Sequence, residues 1–187
     1  MINTNLVLMK ENEETAKLST SFGFDNIFFL EKDFVLVTGK SKKDYLKNIK
    51  KAKQKKLLVL AKPETEEMLR FLIERTAVDI IFGMEKINPK DSVHFPRGGI
   101  DQVICKLAAD NGKVLAFSFN DILCAKDVLI RAKLMNRMRF NIKLCKKYKV
   151  KMFFSSFAKN KMELRSANDL KAFWCCLGGN NSFNLLS

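Results

Sequence analysis

The sequence predicts an α/β fold built on a parallel sheet. Short apolar runs alternate with helix-period patterns along the chain. About seven of these runs have strand character, and nearly all are followed by a helical stretch. No repeat, low-complexity segment or linker interrupts the alternation, and the chain has three prolines. One domain over residues 1–187 is therefore expected. An open doubly wound sheet fits the strand count. So does a compact or incomplete TIM-like (β/α) barrel, a fold that usually takes about 250 residues.

Residues 6–9 read as the first strand and 11–20 as a weak helix. Residues 27–30 and 34–38 are strand-like runs separated by Glu31, Lys32 and Asp33. A helix is predicted over 42–56, with Tyr45, Leu46, Ile49 and Ala52 on one side. Residues 57–61 have the character of a buried strand. Pro63 suits the first turn of a helix carrying Met68, Phe71 and Leu72, because its fixed φ is already helical. Residues 78–82 form a strand bounded by Gly83.

Gly98 and Gly99 precede a helix whose Ile100, Val103, Ile104, Leu107 and Ala108 share one apolar face. Asn111 and Gly112 stop it. A strand over 114–119 leads to a long helix over about 125–147. There Val128, Ala132, Met135, Met138, Ile142 and Cys145 recur at steps of three or four. Residues 150–154 are strand. The last helix, 168–177, packs through Leu170, Phe173, Trp174 and Leu177. Gly178, Gly179, Asn180 and Asn181 read as a stop before a short tail.

The chain is 47% hydrophobic, which is ordinary for a folded protein. No apolar run reaches the roughly 18 residues of a membrane span, and Met1 to Asn5 do not open a signal peptide. A soluble, cytoplasmic protein without a membrane partner is expected. The five cysteines form no C-x-x-C pair, so neither a disulfide framework nor a zinc site is indicated. All five fall on helical stretches and are expected to be core thiols. The net charge of +14 points to a polyanionic partner, with nucleic acid the first candidate.

Catalytic machinery is hard to find. His94 is the single histidine, and one His cannot build a hydrolytic metal cluster. No phosphate loop occurs. Arg97 stands directly before the expected helix start, where unpaired N–H groups attract phosphate. Asn120 and Asp121 sit where α/β sites lie, but they read better as a helix cap. No catalytic and no metal-binding residue is therefore expected.

Two basic regions remain. Nine lysines fall between residues 40 and 56, and a solvated face is there as good a reading as an RNA-facing one. On the long helix Lys133, Arg137, Lys143 and Lys147 fall opposite Met135, Met138 and Ile142 on a wheel of about 100° per residue. Arg139 and Lys146 lie at the border. Such a stripe suits phosphate contacts, which set affinity and register without reading bases.

The motif DSVHFPR followed by GGIDQVICKLAADNGKVLAFSFNDIL, residues 91–123, resembles ribonuclease P protein component 3. That family is the archaeal counterpart of the thirty-kilodalton eukaryotic subunit. The pattern rests on Gly99, Ile100, Val103, Ile104, Lys106, Leu107, Ala108, Asn111, Gly112, Phe117, Ser118, Asp121, Ile122 and Leu123. Downstream, the run from Arg137 through Lys146, Lys147 and Lys149 looks like the family's long basic helix. Ser155, Ser156, Glu163, Leu164, Arg165, Ser166, Asp169 and Leu170 look like its final segment. The likeness is good over about 78–177, while before residue 57 only the order of elements agrees. Gly83-Met84 stands where the family often has His-Pro, and Ala167-Asn168 where it has Ser-Pro. A final family helix is expected to be missing.

The resemblance implies a barrel related to the polymerase-and-histidinol-phosphatase (PHP) fold with its metal residues lost. It implies assembly with a Pop-five-type protein subunit, other ribonuclease P proteins, ribonuclease P RNA and precursor tRNA. The RNA then removes the 5′ leader using Mg²⁺, and the protein binds no cofactor. Arg97, Arg137, Lys143, Lys146, Lys147, Lys149 and Arg165 are the expected phosphate contacts. The competing readings are a metal-dependent PHP-type phosphoesterase and a generic basic RNA-binding module.

Overall fold

The computed structural model describes residues 3–39 and 41–180. It resolves the choice left by the strand count in favour of the barrel. The strands are β1 (Thr4–Val7), β2 (Asn26–Phe29), β3 (Phe34–Val37), β4 (Leu58–Ala61), β5 (Ile80–Phe82), β6 (Val114–Ser118) and β7 (Lys151–Ser155). The helices are α1 (Glu13–Ser21), α2 (Lys42–Gln54), α3 (Glu66–Arg75), α4 (Gln102–Asp110), α5 (Phe119–Leu123), α6 (Val128–Lys147) and α7 (Ala167–Cys176).

All pairings between named strands are parallel. β3 to β7 form one sheet in sequence order, and β1 pairs with β2. Side chains alternate along each strand. Leu6, Phe34, Leu60, Ile80, Phe82, Ala116, Phe153 and Phe157 point inward to one shared core, with Phe28 of β2 packed against it. Val37, Val59, Ala61, Ile81, Leu115, Phe117 and Phe154 point outward to the helices. A core drawing on all seven strands is the interior of a barrel, which among the described residues has one strand fewer than the usual eight.

Two seams close it. Between β7 and β1, the Leu6 N–H donates to Ser155 Oγ at 2.7 Å. Asn5 Oδ1 accepts from Ser155 Oγ, Ser156 N and Ser156 Oγ at 2.7, 3.1 and 2.7 Å. Phe157 N donates to Leu6 O at 2.9 Å, and Leu8 N to Ala158 O at 2.8 Å. Between β2 and β3 the chain steps sideways through Glu31, at φ 69, and a single bridge joins Leu30 to Phe34. The first strand begins at Thr4 rather than at residue 6, because polar Thr4 and Asn5 are buried in the closure.

Three local expectations are corrected. The helix expected after Gly98 and Gly99 begins at Gln102, and Asp101 caps it by accepting from Ile104 N. The glycines instead allow close approach: a Cβ on Gly98 would collide with the Asn141 side chain, and one on Gly99 with the Met84 carbonyl. Asn120 and Asp121 do not cap the long helix. They lie inside short α5, capped by Ser118, while Asp127 caps α6. Of the cysteines, only Cys105 and Cys145 are core thiols, whereas Cys124, Cys175 and Cys176 are exposed. The stop signal continues to Asn181, which with the tail lies outside the described residues.

Candidate nucleic-acid interface

Helix α6 decides where the cations go. Its N-terminus is closed by Asp127, and its last turn carries Lys146 and Lys147, where the helix dipole favours positive charge. The buried face is Leu134, Arg137, Met138, Asn141, Ile142 and Cys145. That differs from the apolar stripe expected from sequence, since Val128 is exposed and Arg137 is not. A wheel that scores Arg and Asn as polar displaces the centre of the buried face, and here both go in.

Arg137 is therefore corrected as a phosphate contact. Its side chain is 3% exposed, and its Nε donates to Asp91 Oδ1 at 2.7 Å. Its Nη1 donates to the carbonyls of Glu85 and Asn88, each at 2.7 Å. One turn along, Asn141 Nδ2 donates to Gly98 O at 2.8 Å. These bonds tie the long β5–α4 connection to α6. Partial burial opposes the charge on Asp91, but bonds from the Arg97 N–H and the Arg137 guanidinium outweigh it and hold its pKa below the usual value.

Arg97 is half exposed on that connection, with its guanidinium 3.7 Å from Glu66. It does not stand at a free helix N-terminus, because Asp101 already occupies that of α4. Arg165 lies after β7 and turns back on the chain, its Nη1 donating to Met162 O and Leu164 O at 2.9 and 2.6 Å. Arg97 and Arg165 thus belong to loops at the C-terminal ends of the strands. Lys143, Lys146, Lys147 and Lys149 are exposed at the other end, where α6 turns into β7. The structure brings these four lysines together and leaves Arg97 and Arg165 apart from them.

Sequence reading missed Tyr148 and Lys106 beside the lysine cluster. Lys106 and Lys147 place their ammonium groups 6.0 and 5.6 Å from the Tyr148 ring centroid. The Tyr148 hydroxyl bonds to Gln102 Oε1 at 3.3 Å, which links α6 to α4. No motif announces this; only the pairing of the two helices creates it.

At the C-terminal end of the strands, Lys86 and Asp121 form an ion pair at 2.5 Å. Asn120, Cys124, Lys159 and Glu163 line a cleft of about 420 Å³ beside it. Glu85 is fully buried nearby, and burial pushes its pKa up to about 8. His94 is exposed on a turn closed by Ser92 N donating to Phe95 O. Among the described residues no group of three or more His, Cys, Asp or Glu could hold a metal ion. Nor, among them, is any helix long and apolar enough to cross a membrane.

A family model described as RNase P subunit p30 matches residues 36–182. The chain belongs to that family. A relative of the p30 family, ribonuclease P protein component 3 of Methanocaldococcus jannaschii, is 31% identical over 139 residues, covering 74% of this chain. Its counterpart in Methanococcus maripaludis strain S2 is 25% identical over 162 residues, covering 87%. The chain spans 56% and 66% of those two relatives' own lengths. Among solved structures, a chain of archaeal ribonuclease P with mature tRNA, determined by cryo-EM, superposes with a TM-score of 0.70 at 25% identity. That match covers 95% of this chain and 74% of the other.

Proposed function

We propose that this p30-family chain is a protein subunit of ribonuclease P, supporting a catalytic RNA in removing the 5′ leader of precursor tRNA. The observation that carries this is the family match over residues 36–182, joined to the barrel's likeness to a chain of archaeal ribonuclease P. The chain, one domain over residues 1–187, serves as a scaffold. It binds ribonuclease P RNA through exposed lysines and a Pop-five-type subunit through a protein contact. The Mg²⁺ of the reaction belongs to the RNA, and the assembly works in the cytoplasm.

The contact surface consistent with the geometry is Lys143, Lys146, Lys147 and Lys149. Arg97 and Arg165 are supplementary donors at the other end. Lysines at a helix end can meet phosphate oxygens without reading bases, which is what a positioning subunit requires. Reconstitution tests the reading. Adding the chain to the RNA and the remaining subunits is expected to lower the Mg²⁺ concentration needed for leader removal. Bound metal together with phosphate-ester hydrolysis by the protein alone would overturn it in favour of a PHP-type phosphoesterase.

A further inference from the structure

Five helices end in the same turn. After α1, α2, α4, α6 and α7 the chain makes paired backbone bonds back to the last helical turn. Examples are Leu57 N to Ala52 O with Lys56 N to Lys53 O, and Val150 N to Cys145 O with Lys149 N to Lys146 O. This turn puts one residue in the left-handed region, where a Cβ is strained and glycine is preferred. After α1, α4 and α7 that residue is Gly23, Gly112 or Gly178. After α2 and α6 it is a lysine, Lys56 at φ 55 and Lys149 at φ 56.

Neither lysine is held there by packing. Both are exposed, and neither ammonium has an ion-pair or hydrogen-bond partner among the described residues. The paired backbone bonds hold each lysine in this strained conformation, and strained residues cluster at functional sites.

The two lysines lie on one rim. Leu60, Ile80, Val114 and Lys151 are paired in a row across β4, β5, β6 and β7, so the four turns entering these strands stand side by side. Lys55 and Lys56 occupy one end of that arc; Lys146, Lys147 and Lys149 occupy the other. Three inter-strand steps of about 4.8 Å separate them, an arc of roughly 14 Å. Exposed Arg75 and partly buried Lys113 lie between. The acids near the arc are Asp79, bonded to Lys53 and to Val59 N; Asp33, which bonds Phe29 N and whose own carbonyl accepts from Leu58 N; Glu74, paired with Arg70; and exposed Asp110. Large exposed apolar side chains are at Leu46, Val93, Phe95, Val103, Val128, Leu129, Ile130 and Met162, none of them in these turns. A protein interface has an apolar centre, whereas a nucleic-acid interface is polar and cationic.

We propose that this rim, at the N-terminal ends of the strands, is a docking surface for the phosphate backbone of RNA, with Lys56 and Lys149 as its fixed points. The proposal rests on the reading of the chain as an RNA-binding subunit. It extends the contact from one helix end to an arc that includes α2.

The test uses the full chain and a transcript of ribonuclease P RNA. Lys56→Gly and Lys149→Gly, singly and together, relax the backbone while removing the charges; Asn at both positions is a second variant that tolerates the same conformation. Thermal midpoints are expected to stay level or rise. RNA affinity of the double variant is expected to fall about tenfold at moderate salt, with its salt slope reduced by about 1.5. The charge-matched control Lys90→Gln with Lys126→Gln, away from this rim, should change affinity less than about twofold. A double variant that binds RNA like the control overturns the rim alone. Loss of a protein partner with RNA binding retained overturns it in favour of an acidic protein. A wild-type chain that does not bind the transcript overturns the RNA-binding reading itself.

Discussion

Arg137 Nε and Asp91 Oδ1 lie 2.7 Å apart, and the guanidinium is 3% exposed. The same guanidinium spans the carbonyls of Glu85 and Asn88. Asp91 in turn accepts from the Arg97 N–H at 2.8 Å. A cation on the basic helix thus serves as the fastening point of the β5–α4 connection.

Arg137→Ala is expected to cost about 3 kcal/mol or more, because it strands a partly buried carboxylate and two carbonyls. Arg137→Lys should recover little, since an ammonium cannot reproduce the planar fork. Urea denaturation measures both. RNA affinity per folded molecule should change less than about twofold, because a buried guanidinium contributes no phosphate contact. Loss of RNA binding with stability unchanged would overturn this assignment.

The β7–β1 seam makes a second prediction. Asn5 Oδ1 gathers three bonds from Ser155 and Ser156. Asn5→Ala leaves Ser156 N without its acceptor and the two hydroxyls with only their longer bonds to Leu6 O, at 3.1 and 3.4 Å, and the expected loss is about 2 kcal/mol. Hydrogen exchange should locate the effect, with the amides of Leu6 and Phe157 losing protection before those of β4 and β5. Uniform loss across all strands would mean that the seam does not open first.

The outward strand residues and the helix order were legible because apolar periodicity is local. Val59, Ala61, Leu115 and Phe117 sit in runs whose neighbours reveal the strand. Barrel closure was not legible, because it depends on Asn5 meeting Ser155 and Ser156 from the far end of the chain. The buried face of α6 was misplaced for a related reason. Arg137 and Asn141 are polar by type, and only the carbonyls of a distant loop make their burial favourable. The lysine cluster could be read from charge spacing. Lys56 could not be singled out among nine lysines, since its backbone conformation carries no sequence signal beyond the absence of glycine.

Lys143, Lys146 and Lys147 are exposed on one helix end. Replacing all three with Gln is expected to reduce the slope of log affinity against log salt by about 2, at roughly 0.7 per contact to single-stranded RNA. Stability should hold within about 0.5 kcal/mol, the usual range for surface changes. Filter binding across a salt series reads the slope, and an unchanged slope would remove this surface from the RNA contact.

Glu85 makes stability depend on pH in a direction opposite to most carboxylates. Burial raises its pKa from 4.5 to about 8; Asp121 adds to the rise, while its backbone N–H bond, Asn141 and Lys86 oppose it. Between those values the folded chain keeps a proton that the unfolded chain has released. Stability from this group is therefore complete below pH 4.5, declines as pH rises toward 8 and levels off above it. Asp91 works in the other direction and in a separate window: its lowered pKa contributes stability above its ordinary 3.8 that is lost as pH falls through the folded value. Glu85→Gln keeps the shape and removes the titration. It is expected to flatten the decline and to exceed the wild type at pH 8 by about 2 kcal/mol. Urea melts at pH 5, 6.5 and 8 measure this. Equal pH slopes in the two proteins would show that Glu85 is ionised in the folded chain, and that its environment supplies more compensation than Asn141, Lys86 and one backbone N–H.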